Sequence, residues 1–289
     1  MPERPRAKEL SNALTFLHKR HIYPIFFVDE FSFIKVLMDN SVVNPAFLHT
    51  LRQFSFEAKA GFIYAGTYDV DALLEDPKYG IQGQLVGCKK EQISEIDKHS
   101  AEELIQVLGD KLVFTKEAVD HIHRLSGDVP YFVQMICKYC GFYAVENKRS
   151  IIGYPELEHV IKILTGEFSP SESSLVKTLP DNVFQNNMFS PADPKEVNVL
   201  ITSIVHFNRE NKEHPRGVSM VELQELWATQ KVSAFTAKLA YSIELLTKKG
   251  VLRDALDEDL PVYTITVDLF RRWWSIHHPD ITVEIGTIM

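Results

Sequence analysis

The chain has 289 residues, 45% of them hydrophobic and 24% charged, and a formal net charge of -8. That balance belongs to a globular protein which, as a whole, is not drawn to nucleic acid or anionic lipid. Three cysteines, no apolar leader after Met1 and no apolar run near the roughly 20 residues that span a bilayer argue for a cytoplasmic protein without a disulfide framework or membrane partner.

Residues 5–20 set Leu10, Ala13, Leu14 and Leu17 at helical spacing. An apolar run from Ile22 to Val28 reads as a short strand, and Asp29 and Glu30 follow it directly. A helix is expected over 45–56, with Phe47, Leu48, Leu51 and Phe54 on one face. Residues 61–67, GFIYAGT, form a second apolar run ending at Gly66 and Thr67. Two short buried strands joined by a helix make a right-handed βαβ unit of a parallel sheet. Residues 68–98 are less regular, with Gly80, Gly83, Gly87 and a strand-like CKKEQISEID at 88–97.

From Ser100 to Thr165 the pattern is helical. Ser100 and Glu103 have capping-box spacing, Thr115 caps a second helix, and Pro130 stands where the first turn of a third costs no hydrogen bond. A fourth helix is expected over 154–164. Residues 166–194 are rich in Ser, Pro, Asn and Asp and read as a linker. Helices over 197–208, 219–230 and 235–248 come next, then two short strands around an acidic tip. Three helices and a hairpin are the winged-helix order.

Ligands of open α/β sheets sit beyond the carboxyl ends of the strands, which is where Asp29 and Glu30 fall. Adjacent residues there point to different sides. One carboxylate can then face a divalent metal while its neighbour faces an attacking water. Read alone, Asp29 could equally cap the following helix.

PIFFVDEF, then LRQF ahead of GFIYAGT, then LSGDVPYFVQMIC, then PVYTITVDLFRRWW come in one order. That order resembles the C-terminal two thirds of AAA+-related ATPases of the STAND kind, from about Ile22 to Trp274. The resemblance implies an α/β region followed by an all-α one: a partial parallel-sheet P-loop NTPase core over 1–98, a helical lid over 99–165, the linker, and a winged helix over 195–289. It makes Asp29 the Walker B acid that holds Mg²⁺, Glu30 the catalytic acid and Thr67 a loose match to sensor 1. Gly127 to Pro130 match the Gly-x-Pro turn of the lid, whose proline packs on adenine, with Tyr131 and Gln134 beside it. Arg52 and Arg124 are candidate phosphate or interface arginines, or solvated helix charges. The cofactors implied are ATP and Mg²⁺.

The phosphate loop G-x-x-x-x-G-K-[ST] is not among the 289 residues. The segment from Gly83 to Lys90 has the wrong spacing and follows the acids instead of preceding them. Weak or absent nucleotide binding by this chain alone is therefore expected. The loop would come from a missing N-terminal segment or a protein partner, and an unpaired sheet edge would await it. A DNA-binding winged-helix regulator and a non-enzymatic scaffold are the alternatives. Lys238, Ser242 and Lys248 would serve the former, against a wing made acidic by Asp254, Asp257, Glu258 and Asp259. Cys137 and Cys140 lie inside a helical pattern and read as core. His277 and His278 read as a surface turn. Trp273 and Trp274 read as packing, with Arg271 and Arg272 turned outward.

Overall fold

The structure is a computed structural model that describes residues 7–66, 70, 73, 77–79, 88–89, 91, 93, 95–107, 111–167, 183–184, 188, 194–209, 215–230, 233–257 and 260–278. It forms two compact units, 1–92 and 93–289.

In the first unit, helix α1 (Ala7–His18) precedes strand β1 (Ile25–Val28). A 3-10 turn over Phe31–Phe33 leads into α2 (Ile34–Asp39), then α3 (Ala46–Phe56) and β2 (Gly61–Tyr64). The Asn44 side chain accepts the Ala46 N–H at 2.9 Å, which satisfies one open donor at the start of α3. β1 and β2 pair in parallel, Ile25 opposite Gly61 and Val28 opposite Tyr64.

The strands are not buried on both faces, as the apolar runs suggest. Phe26, Val28, Phe62 and Tyr64 face Leu14, Leu48, Leu51 and Phe31 in two small clusters. The other face leaves Ile25, Ile63 and Phe27 exposed, Phe27 by 77%. Among the described residues, helices pack on one side of the sheet only, whereas a parallel sheet ordinarily has both faces covered. Phe47, expected on the buried face of α3, is also exposed. In the segment 88–97, the described residues carry no strand.

The second unit begins with α4 (Lys98–Gln106). Its cap is Asp97 and not Ser100. The Asp97 carboxylate accepts the Ser100 N–H at 3.0 Å and the Ser100 hydroxyl at 2.6 Å, so the cap lies three residues earlier than the capping-box spacing suggests. α5 (Lys116–Ser126) is capped by Thr115, α6 (Pro130–Glu146) opens on its proline, and α7 (Tyr154–Thr165) follows. Two-residue strands β3 (Val113–Phe114) and β4 (Ile151–Ile152) pair in parallel across them.

Helices α8 (Lys195–Phe207), α9 (Met220–Thr229) and α10 (Leu239–Lys248) come next. A 3-10 turn over Ser233–Lys238 takes up the first turn expected for α10. β5 (Val218–Ser219), β6 (Leu252–Asp257) and β7 (Leu260–Ile265) form an antiparallel sheet in the order β5-β7-β6, and α11 (Asp268–His277) closes the unit.

The two units divide at 92/93, and the segments 99–165 and 195–289 share one core. That core runs from Ile105 and Leu125 through Phe132 and Leu164 to Trp227, Phe270 and Trp274. Most of 166–194 lies outside the described residues, but Phe184 is fully buried. Its ring centroid lies 5.9 Å from that of Phe132 and 5.0 Å from that of Trp273. The stretch read as a linker therefore contributes an aromatic side chain to the core. Among the described residues, no helix is long and apolar enough to cross a membrane.

Candidate functional site

The acids of residues 29–30 sit where β1 and β2 end together. The Ala65 N–H donates to the Val28 carbonyl at 2.9 Å, and the Phe31 N–H donates to the Ala65 carbonyl at 2.7 Å. The backbone thus stays tied to β2 on either side of Asp29 and Glu30, while these two residues turn outward. Glu30 adopts φ 51°, ψ 39°, a left-handed conformation that a side chain disfavours by about 1–2 kcal/mol. Its N–H donates to the Asp29 carboxylate at 2.9 Å. Both acids are exposed. Strain of this kind at a strand tip is a common companion of function.

Gly66 lies against that turn. A Cβ there would stand 2.7 Å from a Val70 methyl and 3.1 Å from the Ser32 nitrogen. The close approach of the two strand ends requires the glycine. Thr67, expected beside the acids, lies outside the described residues, as do Gly80, Gly83 and Gly87.

Two adjacent carboxylates suit Mg²⁺, which is commonly held by one or two carboxylates with water and phosphate oxygens completing its shell. Among the described residues, no group of three His, Cys, Asp or Glu is placed to hold a metal unaided. The phosphate end of a nucleotide fares differently. Arg52 is exposed on α3, and no described cation pairs with Asp29 or Glu30. Asp29 and Glu30 are of the donor type that suits the metal, and the described residues do not supply a phosphate cradle.

The expected lid residues belong to the second unit. Gly127 ends α5 at φ 59°, and a Cβ on it would lie 2.3 Å from the Thr266 carbonyl oxygen. Its left-handed turn and the approach of the chain after β7 both demand glycine there. Pro130 is half-buried at the first position of α6. Tyr131 is exposed, its ring 5.2 Å from that of Phe132. Gln134 lines a cavity between α4 and α6 that Tyr131 does not touch.

The charges near the C-terminus correct the expectation of outward arginines. Arg271 is 3% exposed and pairs with Asp268. Arg272 donates to Asp268 at 3.0 Å and to Glu158 of α7 at 2.8 Å. Glu158 also bonds His121 of α5, which is 2% exposed, and Arg124 donates to His121 Nδ1 at 3.0 Å. Burial alone raises the Glu158 carboxyl, but the hydrogen bond from His121 and the charge of Arg272 outweigh it and bring it down to about 2.

This network joins α5, α7 and α11, and sequence reasoning missed it. Its local signal was Asp268 three and four residues before Arg271 and Arg272. Glu158 and His121 lie more than a hundred residues away and gave none.

Trp273 and Trp274 are buried as expected, Trp274 donating its indole N–H to the Thr202 hydroxyl at 3.0 Å. His277 and His278 stack on these indoles instead of forming a free turn. Burial pushes the Cys137 thiol up to about 12 and Cys140 well above its ordinary value, so both are packing residues in the neutral form. Two of the lysines proposed for DNA are engaged within the chain: Lys238 with Glu196, and Lys248 with Glu244 at 2.8 Å. Glu258 and Asp259 of the acidic tip lie outside the described residues.

No protein-family description and no curated protein sequence matches the chain. Among solved structures, a mutant of Thermotoga maritima RuvB is 15% identical, with a TM-score of 0.41 over 91% of this chain and 73% of that one. The Thermotoga maritima RuvB Holliday junction branch migration motor is 16% identical, with a TM-score of 0.38 over the same shares. The Aeropyrum pernix ORC2 protein, in ADPNP and ADP complexes, is 11% identical, with a TM-score of 0.40 over 97% of this chain and 71% of that one. At such scores the reading of the site rests on the chain's own residues.

Proposed function

We propose that this chain carries the Walker B strand, helical lid and winged helix of a nucleotide-switch ATPase of the AAA+/STAND kind. Its phosphate-binding loop would come from outside these 289 residues. The observation that carries the reading is the strand tip: two adjacent, exposed carboxylates at the carboxyl end of a parallel strand, with Glu30 held left-handed beside the end of β2. Asp29 is the metal acid, Glu30 the acid that orients water, and Thr67 the polar contact on the neighbouring strand. Gly127, Pro130 and Tyr131 are the lid residues offered to the base.

Two further features suit this reading. The sheet has two strands among the described residues, so its edges await pairing, and its second face exposes Ile25, Phe27 and Ile63. A protein segment bearing the phosphate loop would cover such a sheet. The three-helix and hairpin region from α8 to β7 fits a winged helix that serves the switch through its own chain, since it shares a core with the lid helices.

Binding without a phosphate cradle is weak, so the test must sense weak contacts. Mn²⁺–ATP, a paramagnetic stand-in for Mg²⁺–ATP, is added at millimolar level to the isotopically labelled full chain. Selective broadening of amide signals around Asp29, Glu30 and Gly66, lost in Asp29→Ala, is the expected result. No broadening there, or the same broadening in Asp29→Ala, overturns the metal assignment.

A further inference from the structure

We infer that the groove between α4 and α6 is a docking site for an acidic amphipathic helix of a partner protein. The cavity there measures ≈ 540 Å³ and lies wholly within the second unit. Leu104, Val107 and Leu112 form one wall, and Phe142, Ala144 and Val145 the other. On α6 the lining residues Gln134, Lys138, Gly141, Phe142 and Val145 recur at helical spacing. They mark a stripe about 17 Å long at ~1.5 Å per residue, which is the reach of about three turns of a second helix.

Charge sets the sign of the occupant. Lys111, Lys138 and Arg149 line the groove and no acidic side chain does, among the described residues. None of these three cations makes an ion pair among the described residues, although the chain as a whole is acidic. Lys138 lies 5.7 Å over the Phe142 ring, so its charge stands at the edge of the apolar floor.

Openness sets the kind of occupant. Val107 is 76% exposed and Val145 75% exposed, one on each rim. A single acyl chain lying there would keep one side wet. A helix, by contrast, presents an apolar stripe to such a groove and keeps its polar face in water.

Gly141 points the same way. It lies in the interior of α6, where glycine is a poor choice, and a Cβ on it would meet nothing within 4 Å. Among the described residues, nothing occupies the place a side chain would take. What it provides is a low place in the groove where a second helix can come close.

The test uses the full chain and a fluorescein-labelled synthetic helix of about 14 residues, with leucines at i, i+3, i+4 and i+7 and glutamates on the flanks. Its counterpart carries lysine for each glutamate. Fluorescence anisotropy is expected to show saturable binding of the acidic helix, at least about tenfold tighter than the lysine helix. Gly141→Leu fills open space and leaves the fold intact by circular dichroism. It is expected to weaken binding about tenfold or more, and Lys138→Glu with Arg149→Glu to reverse the charge preference.

Equal binding of the two helices, or full binding by Gly141→Leu, overturns the proposal. So does binding of sodium laurate without binding of the helix, which would make the site one for a single-chain amphiphile. Concentration-dependent self-association lost in Gly141→Leu would assign the groove to a second copy of this chain and overturn it as well.

Discussion

The two units handle charge and apolar surface in opposite ways. Residues 93–289 put charge inside and neutralise it: Arg271, Arg272, Asp268, Glu158 and His121 are packed together beneath a continuous aromatic and aliphatic core. The described residues of 1–92 put Asp29 and Glu30 in solvent and leave Ile25, Phe27 and Ile63 exposed on one face of their sheet. In the larger unit these charges are paired inside the packing, so they act as structure. In the smaller one, nothing among the described residues covers the second face of the sheet, and its two acids stay in solvent.

The largest effect that would break this contrast comes from the larger core. Trp274→Ala removes a fully buried indole and its bond to Thr202, and is expected to cost about 3–5 kcal/mol. All three tryptophans, at 227, 273 and 274, lie in 93–289, so tryptophan fluorescence during urea unfolding follows that unit. A loss under about 1 kcal/mol would mean that the indole does not anchor it.

Next in size is the buried network. Glu158 is held at about 2, below its ordinary 4.5. A depressed carboxyl contributes stability above its unfolded pKa and loses it as pH falls through the folded one. Stability of the 93–289 unit should thus hold down to roughly pH 5 and then fall by about 3 kcal/mol toward pH 2 from this group. Glu158→Gln should flatten that part of the profile. An unchanged acid slope in the variant would remove Glu158 as its source.

The smallest effect probes the first unit. Glu30→Gly relieves a left-handed side chain at φ 51°. The gain is set against the greater freedom of glycine in the unfolded chain, so a net stabilisation of up to about 1 kcal/mol is expected. Slower hydrogen exchange at the amides of β1 and β2 would report it. Faster exchange would show that Glu30 supports the strand tip instead of straining it.

The sequence pattern reaches far where contacts are local. Thr115 is a cap by its own spacing, its hydroxyl accepting the N–H of Ala118 at 3.3 Å. The pairing of β1 with β2 follows from two apolar runs and the helical pattern between them, although the short α2 is not part of that pattern. Local pattern fails where a competing side chain lies nearby: Asp97 takes the cap expected at Ser100 because its carboxylate reaches both groups of that serine. It falls short again at α11, where Asp268 at local spacing pairs with both arginines but the distant Glu158 completes the site of Arg272.

By itself, the amino-acid order determined most helices, the parallel strand pair and the placing of Asp29 and Glu30 at a strand end. Those follow from periodicity and capping within a few residues. Tertiary structure alone decided that residues 99–165 and 195–289 share a core, that Phe184 belongs to it, that Arg271 and Arg272 are neutralised within it, and that α6 keeps an open, cationic groove. Each of these depends on which surfaces meet between elements distant in the chain, from some 30 residues at the groove to more than a hundred between Glu158 and Arg272, and no local spacing encodes that.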